Sequence, residues 1–192
     1  MHPIEAESYR RLRAAVNTAH LPPLSRAVAE RVLHATADVD YARDLVLDEA
    51  ALAAGAAALA AGAPLVVDVA MVAAGVTAYP AACRVGDPDA AALAGERGLT
   101  RTAAAVLLAA RDAGPGAVYA VGCAPTALRA LVDAAPDPAL VIGLPVGFVD
   151  AAESKAELLA SGLPAVANRG PKGGSAVAAA AVNALLYAGD AS

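Results

Sequence analysis

The chain contains no tryptophan and a single phenylalanine, Phe148, and aromatic residues make up only 3% of it. A core assembled from large rings is therefore excluded. The hydrophobic share of 58% rests instead on alanine and aliphatic side chains, a composition suited to close helix packing. Cysteine is nearly absent: Cys83 and Cys123 are too few for a disulfide framework, and no CxxC pair marks a zinc or dithiol site. Positive charge is also short. Lysine and arginine total 14 against 19 acidic residues, a net charge of −5, so no general basic surface is available for nucleic acid or an anionic membrane. The longest uncharged run, Ala50 to Val67, is mostly alanine and glycine and is broken at Pro64. A membrane span needs roughly 20 predominantly apolar residues, so this run is expected to be a helix followed by a buried strand. The opening MHPIEAESYRR carries charges where a secretory signal needs an apolar stretch, and a reducing cytoplasm is the expected location.

What is present reads as one α/β domain over residues 1–192. Ile4 to Val16 places apolar residues at helical spacing among Glu5, Glu7, Arg10, Arg11 and Arg13. A second helix opens near Pro22, Pro23 and Ser25, with serine as a candidate cap, and runs through SRAVAERVLHATAD. Asp48 can cap a third helix that stops at Gly62-Ala63-Pro64, ahead of a strand over Leu65 to Val69. From there elements alternate. Thr100 caps a helix from Arg101; Ala117 to Val121 is a strand, Pro125 to Ala134 a helix and Leu140 to Ile142 a strand. Glu153 to Ser161 is then a helix, Ala165 to Ala167 a strand, and Ser175 to Tyr187 a last helix. Short apolar strands separated by helices predict a three-layer fold, a mainly parallel central sheet flanked by helices. In such sheets ligands bind beyond the carboxyl ends of the strands, where this chain carries its glycine-rich segments.

The segment NRGPKGGS, residues 168–175, precedes a strongly helical alanine run. Gly173, Gly174 and Ser175 would present backbone N–H groups at a helix N-terminus beside Arg169 and Lys172, an arrangement able to bind an anion. A helix start that simply needs glycine explains the same residues. The lysine precedes the paired glycines, so the segment is not a phosphate-binding Walker loop. Arg101 opposes the dipole at the start of its helix, which suggests a ligand contact or else a solvated side chain. His34 lies in RVLHATADVD with Asp38 one helical turn on, a pair that could orient an imidazole for proton transfer or serve structure alone. No spacing of histidine, cysteine and acidic residues suggests a metal site. Ser154 and Lys155, adjacent in sequence, are not expected to act as a catalytic pair.

Taken together, the blocks RVLHA (31–35), D-x-x-MV-x-x-GVT (68–77), TRTAAA (from Thr100), APTAL (from Ala124), PVGFVDAAESK (145–155) and KGGSAVAAAAVNAL (from Lys172) resemble the precorrin-8X (cobalt-precorrin-8) methylmutase family. The resemblance runs from about Ile4 to Leu186. It implies an α/β isomerase, a homodimer with sites near the subunit interface, no organic cofactor, and a 1,5-sigmatropic methyl shift from C-11 to C-12 of precorrin-8X or cobalt-precorrin-8, with the corrin product tightly held. It further implies that His34 donates a proton or hydrogen bond to the macrocycle, and that Ser8, Thr77 and Arg101 line the substrate. Lys172, Gly173, Gly174 and Ser175 would then cradle its carboxylates. The sequence departs from the family pattern at Cys123, at Ala70, and over Ala78 to Asp87, which is several residues shorter. A corrinoid-binding protein without catalysis would share these features apart from the need for His34. A nucleotide-binding domain would require an acidic ribose or magnesium motif that the sequence lacks.

Overall fold

A computed structural model describes residues 2–134 and 136–188. The chain runs α1 (Pro3–Ala15), α2 (Pro23–Thr36), α3 (Tyr41–Asp44), β1 (Leu45–Val46), α4 (Glu49–Ala60), β2 (Leu65–Val67), α5 (Ala70–Gly75), β3 (Ala81–Ala82), α6 (Pro88–Arg97), α7 (Arg101–Ala113), β4 (Val118–Val121), α8 (Pro125–Ala134), β5 (Leu140–Gly143), α9 (Ala151–Ala160), β6 (Ala165–Asn168) and α10 (Ser175–Ala188). The strands form one sheet in the order β1-β6-β5-β4-β2-β3. Only β1 runs antiparallel, pairing Leu45 with Asn168 and Val46 with Ala167. No described helix is long and apolar enough to cross a membrane.

The expected three layers are present. Every residue of β2, β4, β5 and β6 is buried, as a sheet covered on both faces requires. Side chains alternate between two cores: Val118, Ala120, Leu140 and Ile142 face α2, α4 and α10, whereas Tyr119, Val121 and Val141 face α7, α8 and α9. Helix α10 is buried from Val177 to Leu185 because it lies between the sheet and α2. Its alanine-rich, nearly all-apolar sequence fits that position and no solvent-facing one. Close approach is general on this face: a Cβ on Gly75 would sit 2.6 Å from Ala179 Cβ, and one on Gly122 would sit 2.9 Å from both Ser175 Cα and Ala178 Cβ.

Two expected caps hold: Asp48 accepts from Ala51 N–H at 3.0 Å and Thr100 from Ala103 N–H at 3.2 Å. Ser25 does not cap α2. The N–H groups of Leu24 and Ser25 donate instead to the Glu49 carboxylate of α4, at 2.9 and 2.7 Å, so one helix caps another. The strand expected to Val69 ends at Val67, because Asp68 turns its carboxylate to a neighbouring turn and Val69 opens α5. Helices α3, α5 and α6 and the strands β1 and β3 were not anticipated. Each is short or lies in or directly after the stretch from Ala78 to Asp87, where Arg84 pairs with Asp87 and Asp112 at 2.7 and 2.6 Å.

One buried ammonium stands out. Lys155 on α9 is 1% exposed, and its ammonium donates to Asn168 Oδ1 at 3.1 Å and to the carbonyl of Lys172. Burial pushes its pKa from 10.5 down to about 8.

Two outcomes follow from this packing. Gly122→Ala should push α10 away from the end of β4 and cost about 1–3 kcal/mol of stability, read from urea unfolding. For Lys155 the folded pKa lies below the unfolded one, so between about pH 8 and 10.5 the unfolded chain binds more protons and folding strengthens as pH rises. Lys155→Met removes that contribution, and its stability measured against the parent should lose ground progressively across this window. A pH-independent difference would show that the buried ammonium does not titrate there.

Candidate active site

The carboxyl ends of the parallel strands gather at one edge of the sheet, and a fully buried carboxylate organises them. Asp68, directly after β2, accepts from the N–H groups of Gly122, Cys123 and Ala124 at 3.0, 2.8 and 2.8 Å. It thereby fixes the turn between β4 and α8. Beside it, Gly173 lies so close to the next strand end that a Cβ would fall 2.3 Å from the Leu144 carbonyl oxygen. Gly174 N–H donates to the same oxygen at 2.8 Å, and Gly147 N–H donates to the Pro171 carbonyl at 3.1 Å. The expectation that Gly174 offers a free N–H is corrected accordingly: that donor is used within the loop. Ser175 begins α10 and is nearly buried.

His34 stands in the last turn of α2, half-buried. Its Nδ1 is hydrogen-bonded to Ser8 Oγ of α1 at 2.9 Å, which brings two of the expected site residues together. The imidazole stacks on Tyr9, ring centroids 4.9 Å apart and planes 10° from parallel. Asp38 does not orient this imidazole, contrary to expectation. Helix α2 ends at Thr36, Ala37 adopts a left-handed φ of 53°, and the Asp38 carboxylate receives Lys172 Nζ at 2.6 Å. Lys172 donates equally to Asp40 at 2.6 Å, and the two carboxylates hold its pKa above the ordinary lysine value. His34, Ser8, Arg11 and Val39 line a cavity of about 260 Å³.

Thr77 joins this group through intermediates. Its N–H donates to Asn183 Oδ1 of α10 at 3.3 Å, while Asn183 Nδ2 donates to the Gly75 carbonyl at 2.8 Å, so the end of α5 is pinned to α10. The Thr77 hydroxyl is hydrogen-bonded to Tyr187, whose ring lies 5.4 Å from the Arg31 guanidinium. Arg31 in turn donates to Glu5 at 3.0 Å and to the Tyr9 hydroxyl at 3.4 Å. Tyr9, Arg31 and Tyr187 wall a second cavity of about 640 Å³. Arg101 is exposed at the first position of α7, and no hydrogen bond or ion pair connects it to His34 or the glycine loop among the described residues. Cys123 and Ala70 are both exposed at the same strand-end edge.

Sequence reasoning missed Asp68, Lys155, Asn168, Tyr9, Arg31 and Tyr187. Asp68, Lys155, Asn168 and Arg31 did stand inside singled-out blocks, but the signal that marks the first three is burial. No group of three or more histidine, cysteine or acidic side chains among the described residues could hold a metal ion.

The precorrin-8X methylmutase family model matches residues 3–188. A precorrin-8X methylmutase of Pseudomonas aeruginosa is 48% identical, covering 95% of this chain and 93% of that one. A cobalt-precorrin-8 methylmutase of Methanothermobacter thermautotrophicus is 39% identical, covering 86% and 82%. The solved structure of a precorrin-8X methyl mutase from Thermus thermophilus superimposes with a TM-score of 0.89 at 36% identity, over 98% of this chain and 96% of that one. With fold, motif order and sequence in agreement along nearly its whole length, the chain belongs to the precorrin-8X methylmutase family of isomerases.

Proposed function

We propose that the protein catalyses a 1,5-sigmatropic methyl shift from C-11 to C-12 of precorrin-8X, giving hydrogenobyrinate, or of cobalt-precorrin-8, giving cobyrinate. One carbon–carbon bond breaks and another forms within the substrate, so the step requires no nucleophile or organic cofactor from the protein. It requires a pocket that holds one conformation of the macrocycle, and a proton or hydrogen-bond donor that draws electron density from the conjugated system. Relatives named for both substrates support the reading.

The observation that carries it is the hydrogen bond between Ser8 Oγ and His34 Nδ1. With Ser8 as donor to Nδ1, the imidazole bears its proton on Nε2, the nitrogen left for the substrate. Stacking on Tyr9 fixes the ring plane, so the proton is offered in one direction. Thr77, held by Asn183 and Tyr187, and Arg101, whose guanidinium is not engaged by another described residue, serve as substrate contacts; Ser8 does so from the wall of the His34 cavity. Gly173, Ser175 and the loop closed by Gly174 and Lys172 receive carboxylates of the substrate near the α10 N-terminus, with charge assistance from that helix end.

We also propose that the protein acts as a cytoplasmic homodimer. The cavity lined by His34, about 260 Å³, is smaller than an ordinary small-ligand pocket of about 300–1,000 Å³, and the cavity of about 640 Å³ beyond Tyr9 does not include His34, so further walls are needed around a macrocycle at the histidine. Phe148 and Val149, fully or largely exposed in the loop after β5, offer an apolar surface for a second copy.

His34→Ala should lose at least about a hundredfold in single-turnover conversion while still binding the corrinoid, since general acid catalysis is worth about 10²–10⁴-fold. Arg101→Ala should show the reverse pattern, weakening binding by about 1–3 kcal/mol with the bound-state rate nearly kept. Both are read from the visible absorbance of the substrate. A folded His34→Ala protein that converts substrate at the parental rate removes the histidine from the mechanism, and binding without conversion by the parent protein identifies a corrinoid carrier. Sedimentation at micromolar concentration should give the mass of two chains; a monomer there overturns the dimer.

A further inference from the structure

Lys172 is gripped at both ends. Its carbonyl accepts from Asn168 Nδ2 at 2.9 Å and from the buried ammonium of Lys155, which fixes the backbone of the glycine loop just before Gly173. Its own ammonium lies 2.6 Å from the carboxylates of both Asp38 and Asp40. These aspartates flank Val39, a wall of the His34 cavity, and follow directly on the left-handed residue that ends α2. The backbone N–H of Asp40 donates to Asp38 Oδ1 at 3.0 Å, so the acidic pair forms a compact turn. One side chain thus bridges 132 to 134 residues of sequence and joins the loop that begins α10 to the segment that ends the His34 helix.

We propose that Lys172 is a positioning residue, a strap that sets the glycine loop and His34 in register, and that its ammonium does not bind the carboxylates of the substrate. A substrate carboxylate would have to displace two protein carboxylates already seated at hydrogen-bond distance. All three side chains are also between 32 and 48% exposed, so the ion pairs contribute little to overall stability. Their effect is geometric, and geometry is what the transfer depends on: a displacement of about 1 Å of a catalytic group costs up to about a hundredfold in rate. The strap rests on the reading of His34 as the group that addresses the macrocycle.

The two roles of Lys172 predict opposite signs for removal of its partners. Steady-state kinetics on precorrin-8X are compared for the parent, Lys172→Met, and the double variant Asp38→Asn with Asp40→Asn. A strap gives a fall in kcat of at least about tenfold in both variants, with KM changed by no more than about twofold and little change in melting temperature. Combining all three substitutions then adds no further loss, since the same connection is already broken. The side-chain ¹⁵N signals of His34 shift in both variants without substrate. If Lys172 binds substrate instead, Lys172→Met raises KM while the double asparagine variant, which frees the ammonium, lowers it; that pair of results overturns the strap, as do unchanged His34 signals. Should His34→Ala prove fully active, the reading of His34 falls, and the ¹⁵N signals still decide whether Lys172 positions the ring.

Discussion

A carboxylate sealed from water holds the site edge of the sheet together. Asp68 has no exposed surface, and its oxygens take three backbone N–H groups from the turn after β4. Removing an ionised group from water costs several kcal/mol unless donors replace the lost solvation, and here the replacement is made entirely by main chain. Because β2 and β4 are neighbours, this link locks two adjacent strand ends together and dictates where α8 begins. Gly122, one of its donors, is also the point at which α10 comes within contact of the sheet. The position of α10 sets Ser175 at one end and, through Asn183 and Tyr187, Thr77 at the other.

The candidate site is accordingly a composite of three anchorages. Asp68 sets the strand-end turn, Lys155 and Asn168 set the glycine loop, and α1 brings Ser8 and Tyr9 against His34. Each anchorage uses a buried or half-buried polar group whose partner is distant in sequence. Lys155 is the costly member, since among the described residues its charge has carbonyl oxygens and no carboxylate to answer it. Its two hydrogen bonds hold the loop backbone in place, which offsets that cost in a position otherwise suited to a methionine or leucine.

Much of the fold was readable because its determinants are local. Asp48 and Thr100 cap helices from within their own first turn, and the uniformly apolar β4 and β5 announce a covered parallel sheet. What failed were inferences that assumed local partners. Ser25 was available as a cap, yet Glu49 of another helix took the role. Asp38 sits four residues beyond His34, but the helix stops before that spacing can act, and a lysine far along the chain claims the carboxylate. Family resemblance supplied Ser8 and Thr77, whose connections to His34 no helical periodicity could have indicated: Ser8 bonds to it directly from another helix, and Thr77 reaches it through Tyr187, Arg31 and Tyr9 from three different helices.

The two outermost strands of the sheet, β1 and β3, contain two residues each. A strand that short leaves almost no row of unpaired amide and carbonyl groups along its free side. The sheet therefore ends bluntly in both directions, and a neighbouring molecule finds no template on which to lay a strand. For a chain so rich in alanine and valine, with interior strands apolar from end to end, this bluntness is a safeguard: the segments most able to form fibrils are kept away from any edge at which a fibril could start.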